Sequence, residues 1–244
     1  MITSRVLLLL VFLLSATLSH GEGRRLEVLF LGDDGHHKPL ERYRALKANL
    51  GTRGYNLSFI EDLSQITTKR LEPYDVVIVY ANHEQEVVPA SLLTWVRKGG
   101  GLVALHSACG CFRKSPEWIQ TIGGRFESHE GHIFSPETID KEHEITKALP
   151  SFEAWDETYE HQDLTQDRHV LQQRPPLNKG ETEPEPWTWT REQGKGRVFY
   201  TASGHDMRVW GQAAYQELVA RAIVWAAGDE VGKEFAELKL APLE

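Results

Sequence analysis

The stretch Gly99-Gly100-Gly101-Leu102-Val103-Ala104-Leu105-His106-Ser107-Ala108-Cys109-Gly110-Cys111-Phe112 joins three glycines to an unbroken apolar run and then to a group of polar and thiol side chains. Such a run, bounded by turn residues, predicts a strand buried on both faces, as in a parallel sheet covered by helices. His106 and Ser107 then fall where the strand ends. Ligands of open α/β sheets bind outside the carboxyl ends of the strands, so this pair is a site candidate. The alternative is a structural histidine satisfied within a tight turn.

Working outward, the same pattern repeats. Residues 26–31 read as a strand, followed by Gly32-Asp33-Asp34-Gly35-His36-His37 and a helix opened by Pro39 that carries Leu40, Tyr43, Leu46 and Leu50. Residues 56–60 read as the next strand. Residues 74–80 form another and deliver Ala81-Asn82-His83-Glu84, and residues 89–98 are an amphipathic helix with Leu92, Leu93 and Val96 on one side. Strand, helix, strand forces parallel pairing. The fold class is therefore α/β, a doubly wound, mostly parallel sheet flanked by helices.

Beyond Cys111 a short helix is expected near residues 116–122. Gly123 to His132 is rich in His and Glu and poor in core residues, and residues 145–149 and 152–159 follow without a clear period. Residues 169–173 read as a strand and 175–186 as a polar, Pro-rich surface loop. Residues 187–191 and 197–201 alternate large and polar side chains across Gln193-Gly194-Lys195-Gly196, an antiparallel C-terminal hairpin that ends in Ala202-Ser203-Gly204-His205-Asp206. A last helix covers about 212–227.

Residues 1–21 carry Arg5, an apolar run over 6–14 and small residues ending Ser19-His20-Gly21, the three regions of a signal peptide cleaved after Gly21. The apolar run is shorter than the roughly 20 residues of a spanning helix. The expected organisation is a signal peptide (1–21), a single domain (22–228) and a charged C-terminal tail (229–244), exported to the periplasm or the extracellular space. The formal charge is -8 and becomes -9 once Arg5 leaves with the leader, and no basic cluster is present. Nucleic acid is thereby excluded as a partner, and so is the membrane after cleavage. The two cysteines, 109 and 111, are separated by one residue, and a disulfide between them would close a strained ring; free thiols are expected.

Eleven histidines occur in the sequence, and five positions (His36 or His37, His83, His106, His129, His205) lie past strand ends or in adjoining loops. Neutral imidazole is the commonest metal ligand and a proton shuttle near neutral pH, so their placement points to metal or acid/base chemistry. No tight metal motif and no glycine-rich phosphate loop accompanies them. Ser107 as nucleophile, with His205 as base and Asp206 or Glu157 as orienter, and Cys109 or Cys111 as nucleophile, are the alternatives. Glu157 stands among Trp155, Asp156 and Tyr159, surroundings that can raise a carboxyl pKa towards the general-acid range.

Five motifs in order carry a family resemblance: Leu31-Gly32-Asp33-Asp34-Gly35-His36-His37, the Gly-Gly-Gly-Leu-Val-Ala-Leu-His-Ser-Ala run, Gly123-Gly124-Arg125-Phe126 with Ser128-His129, Trp155-Asp156-Glu157-Thr158-Tyr159, and residues 194–200 closing on Gly204-His205-Asp206. Over residues 26–228 the chain resembles the ThuA-like (trehalose utilisation) family. The resemblance implies a class I glutamine amidotransferase-like, or flavodoxin-like, fold and a role on carbohydrates or oxidised (keto) sugars. In amidotransferases of this fold a cysteine nucleophile occupies the elbow where His106 stands here, so thiol-dependent glutamine hydrolysis is not expected.

The expected function is an exported enzyme that cleaves a carbohydrate or (keto)glycoside by hydrolysis or elimination. His106, Glu157, His205 and Asp206 are its catalytic candidates, with Glu157 as acid. Asp33, His83 and Ser107 are candidates for substrate binding, and His37 and His129 for ligating zinc or a similar divalent ion. The expected partners are a small-molecule carbohydrate and, as an option, a second copy in a homodimer. The competing function is a non-catalytic binding or sensory module whose aromatic platforms would be Trp187, Trp189 and Trp210. Three structural expectations follow: a strained backbone at His106, convergence of His37, His106, His129, His205 and Glu157 on one pocket, and little stability cost for His106→Ala.

Overall fold

The computed structural model describes residues 23–240; the expected signal peptide (1–21) and the last four residues lie outside them. Ten strands and seven helices occur among the described residues. In chain order they are β1 (Leu26–Leu31), α1 (Pro39–Leu50), β2 (Tyr55–Ile60), α2 (Thr68–Leu71), β3 (Val76–Val79), α3 (Ala90–Arg97), β4 (Gly101–Leu105), α4 (Pro116–Ile122), β5 (Arg125–Phe134), β6 (Glu137–Thr138), β7 (Ala154–Gln162), β8 (His169–Arg174), β9 (Glu185–Gln193), β10 (Gly196–Thr201), α5 (Met207–Trp210), α6 (Ala213–Ala227) and α7 (Asp229–Ala236).

Eight strands form one sheet in the order β2-β1-β3-β4-β10-β9-β8-β6. The first four pairings are parallel and those beyond β10 antiparallel. The apolar runs are continuous because both faces are covered. Val28, Phe30, Val76, Ile78, Val103 and Leu105 face α1 and α6, whereas Leu29, Leu31, Val77, Val79, Leu102 and Ala104 face α3 and α4. Full burial of such a side chain is worth about 1.5–3 kcal/mol. Gly101 opens β4 because α6 crosses it closely: a Cβ there would lie 2.5 Å from the Ala226 carbonyl oxygen.

β5 and β7 form a separate two-stranded antiparallel ribbon. The sequence left this region irregular, for a physical reason: Ser128 to His132 is polar on both faces, so no apolar alternation marks a strand. A second difference concerns residues 229–244, expected as a tail. Residues Asp229–Ala236 are helical, and Phe235 packs edge-on against Tyr55 at 4.9 Å while Glu234 pairs with Arg24 at 2.7 Å. The tryptophans proposed as platforms, Trp187, Trp189 and Trp210, are fully buried. Their indole N–H groups donate to Ser203 Oγ, Ile122 O and Gly204 O.

Strand order reverses between β1 and β3, which creates a crevice at their carboxyl ends. The ends of β4 and β10 lie on the same edge, and the ribbon supplies the remaining groups of the site.

Candidate metal centre

Three parallel strands and one ribbon strand deliver the cluster. After β1, Asp33 accepts from Gly35 N at 2.8 Å and also from Asn82 N, which ties the loops on the two sides of the crevice together and turns His37 inward. After β4, His106 enters a 3-10 turn with φ 45°, a left-handed conformation sparsely populated by residues other than glycine. After β10, Asp156 of the ribbon accepts from Gly204 N at 2.9 Å and His205 N at 3.0 Å. The Tyr80 hydroxyl lies 2.7 Å from Gly204 O on the other side of this loop. In β7 the strand period of two puts Trp155, Glu157 and Tyr159 on one face.

Ligand atoms of His37, His106, Glu157 and His205 all lie within 4.8 Å of one another. His106 is fully buried; its Nδ1 donates to Ala202 O at 2.7 Å, so in the neutral ring Nε2 presents a lone pair. That atom is 3.2 Å from Glu157 Oε2 and 3.0 Å from the Tyr159 hydroxyl, which donates to it. His205 Nδ1 faces Glu157 Oε1 at 3.1 Å, and His37 Nε2 is buried with no hydrogen-bond partner. Burial, reinforced by His106, His36 and His205, pushes the His37 pKa down to about 2. Burial opposes ionisation of Glu157, but the His106 and His205 rings that face its two oxygens at 3.2 and 3.1 Å outweigh it and hold the carboxyl well below its ordinary range. Burial likewise opposes charge on His205, and Glu157 overcomes it, so that pKa rises. Nitrogen and carboxylate oxygen atoms converging in this way could hold a cation between them.

His129, across from Tyr159 in the ribbon, reaches within 3.7 Å of Glu157 Oε1 and is partly exposed. Of the five residues expected to share one pocket, His37, His106, His205 and Glu157 form the cluster and His129 approaches it from the rim; His37, His129 and Glu157 line the cavity. In front of them lies a cavity of about 170 Å³ whose lining includes Ser107, Asn82, Glu84, Arg113 and Phe126.

Several other assignments fall elsewhere. Asp206 caps α5 and pairs with Arg208, and it is not among the clustered ligand residues. Asp33 is engaged by backbone N–H groups, and His83 Nε2 donates to Gly32 O at 3.1 Å while its ring stacks on Phe112. Glu157 is a carboxylate and not the expected acid, because two imidazoles face it. Ser107 lines the cavity, but its Oγ has no partner, so no base activates it as a nucleophile. Cys109 and Cys111 are free and buried; burial pushes the Cys109 thiol up to about 12 and raises Cys111 as well, which removes both as nucleophiles. His106→Ala cannot be cheap, since the ring is wholly enclosed. Asp156, Tyr159 and Tyr80 were missed as site residues. Reading Trp-Asp-Glu-Thr-Tyr as a strand of period two would have placed Tyr159 beside Glu157.

The sequence profile of the ThuA family, described as trehalose utilisation, matches residues 27–226. Among solved structures, a ThuA-like protein from Parabacteroides merdae is 22% identical, with a TM-score of 0.73 over 84% of this chain and 90% of that one. A second, from Bacteroides uniformis, is 21% identical, with a TM-score of 0.71 over 89% and 98%. A β-galactosidase from Rahnella sp. R3 shares the fold at 18% identity and a TM-score of 0.53; the match covers 82% of this chain and 31% of that one. No curated protein matches the sequence.

Proposed function

The chain belongs to the ThuA (trehalose utilisation) family, and from that premise we propose that it is a divalent-metal-dependent enzyme that cleaves a glycoside, or its oxidised (keto) form, by hydrolysis or elimination. One observation carries the reading: His37 Nε2 is buried without a hydrogen-bond partner, in a cluster of three imidazoles and a carboxylate whose ligand atoms lie within 4.8 Å of one another. Buried polar atoms are normally paired, and an orphan of this kind asks for a bound group. Three imidazole nitrogens and a carboxylate oxygen are a donor set suited to zinc or a similar ion.

His37, His106, His205 and Glu157 would hold the ion, which when bound supplies Lewis-acid polarisation of a substrate oxygen. The bond from His106 Nδ1 to Ala202 O fixes the ring and its tautomer, as carbonyl partners do for ligating histidines. The Tyr159 ring stacks on the His106 ring with centroids 4.4 Å apart, and its hydroxyl would yield Nε2 to the ion. Asp156 and Tyr80 hold the backbone of residues 204–205, and with it the His205 ring. His129, at the cavity rim with Nδ1 3.0 Å from Glu130 O, is the group free to carry a proton between substrate and solvent. In this reading the leader exports the protein, and it meets a small carbohydrate outside the cytoplasm. The burial of Trp187, Trp189 and Trp210 takes away the platforms on which the binding-module alternative rested.

Product analysis by NMR with trehalose, keto-trehalose and a glucuronide tests the proposal. Cleavage of one of them is expected, stopped by a chelator, restored by zinc and absent in Glu157→Gln. Cleavage that is indifferent to the chelator, or intact substrates in the presence of zinc, would overturn it.

A further inference from the structure

The cavity in front of the cluster has a second wall, built from residues outside the donor set. Resting on the carbohydrate reading above, we infer that this wall is a carboxylate-binding subsite in which Arg113 selects a sugar acid over a neutral sugar. Arg113 lines the cavity and makes no ion pair among the described residues; its guanidinium lies 5.3 Å from the Phe126 ring. Its placement is built in. Phe112 is fully buried, meets Trp118 edge-on at 5.3 Å, donates its N–H to His83 O at 3.0 Å and takes φ 50°. A bulky residue in that conformation persists only where its surroundings impose it. The turn so fixed brings Arg113 over the cavity.

Ser107 supplies an independent sign that a ligand belongs there. It lines the same cavity, is 2% exposed, and its Oγ has no hydrogen-bond partner. A buried hydroxyl without a partner is an unmet demand that a ligand oxygen satisfies. Asn82 and Glu84 complete the wall with an amide and an acceptor for sugar hydroxyls. At about 170 Å³ the cavity is smaller than the roughly 300 Å³ at which pockets for drug-sized ligands begin, so it takes one ring and not a whole disaccharide. The planar fork of a guanidinium matches a carboxylate in a way it cannot match a single hydroxyl.

Calorimetric titration of the full chain with D-glucuronate and with D-glucose, with and without zinc, tests the inference in the wild type and in Arg113→Gln. Arg113 is exposed, so the variant folds. Glucuronate is expected to bind about tenfold more tightly than glucose, as a charge-assisted bidentate bond provides, and the gap should vanish in the variant. Ser107→Ala should weaken both sugars and preserve the gap. Equal affinities, no binding of either sugar, or a preference that survives Arg113→Gln would overturn the inference. If zinc fails to bind while the effect of Arg113→Gln stands, the proposed function fails and this subsite does not.

Discussion

His37 shows how one side chain can be chosen for its neutral form. It is enclosed by His106, His205 and Tyr80, with ring centroids 5.0, 5.2 and 5.9 Å away, so a proton on it would sit in an apolar cage beside two other imidazoles. Its pKa of about 2 lies below the ordinary value near 6.5. Below pH 6.5 the unfolded chain therefore takes up a proton at this position that the folded chain refuses, and stability falls as the pH falls. One proton corresponds to a slope of about 1.4 kcal/mol per pH unit. Urea unfolding of EDTA-treated protein between pH 6 and pH 4 should show the wild type losing stability faster than His37→Asn by up to that slope. Parallel curves would mean that His37 is protonated in the fold. His106 is constrained by other means: its left-handed backbone is braced by Ala202 O on Nδ1, and its own carbonyl accepts from the Tyr200 hydroxyl at 3.3 Å. That strain was foreseeable from a histidine placed at a strand end before small residues. The enclosure of the ring was not, because Tyr159 comes from 53 residues further along the chain.

The ribbon of β5 and β7 is the element on which the site depends, and it is held from outside by the loop between β8 and β9. Arg174, fully buried, reaches Glu181 with Nη1 at 2.7 Å and also with Nη2. Asn178 donates to Thr158 O at 2.7 Å and Glu160 Oε1 at 2.8 Å. The Pro-rich stretch expected as a surface loop is thus a clamp. Glu181→Gln leaves a buried guanidinium without its countercharge, which costs about 3–5 kcal/mol. Burial opposes charge on Glu181, but Arg174 and the Asn178 and Leu177 N–H groups lower its pKa to about 2. The contribution is therefore present above the ordinary carboxyl pKa near 4.3 and is lost as the pH falls towards 2. Chemical denaturation at pH 7 should show the full loss for Glu181→Gln, and a change under 1 kcal/mol would contradict the clamp. Elements such as β1, β3 and β4 were legible because two covered faces make unbroken apolar runs. The ribbon and α7 were not, since their residues are mostly polar and their few apolar anchors, Phe134 and Phe235 among them, gain meaning only from partners far off in sequence.

In the molecule as a whole, the parallel strand order decides which chain segments can meet. β1, β4 and β10 end on one edge, so His37, His106 and His205 converge although they are spread over more than 160 residues of sequence. The right-handed crossovers of a doubly wound sheet make that convergence a consequence of topology. Only Glu157 has to be brought in separately, and the ribbon brings it. The family motifs made the fold legible as a whole, whereas the donor set emerged from side-chain geometry: Asp206, drawn in by its neighbour His205, turns away to Arg208. The central claim is that these four residues bind a divalent ion. Its most direct test is elemental analysis of untagged protein purified without chelators and re-equilibrated with zinc, alongside His37→Asn and His205→Ala, with circular dichroism to confirm that all three are folded. The account predicts one equivalent of zinc in the wild type and a loss of at least tenfold in affinity in each variant. Folded wild-type protein that retains no zinc, or variants that retain a full equivalent, would contradict it.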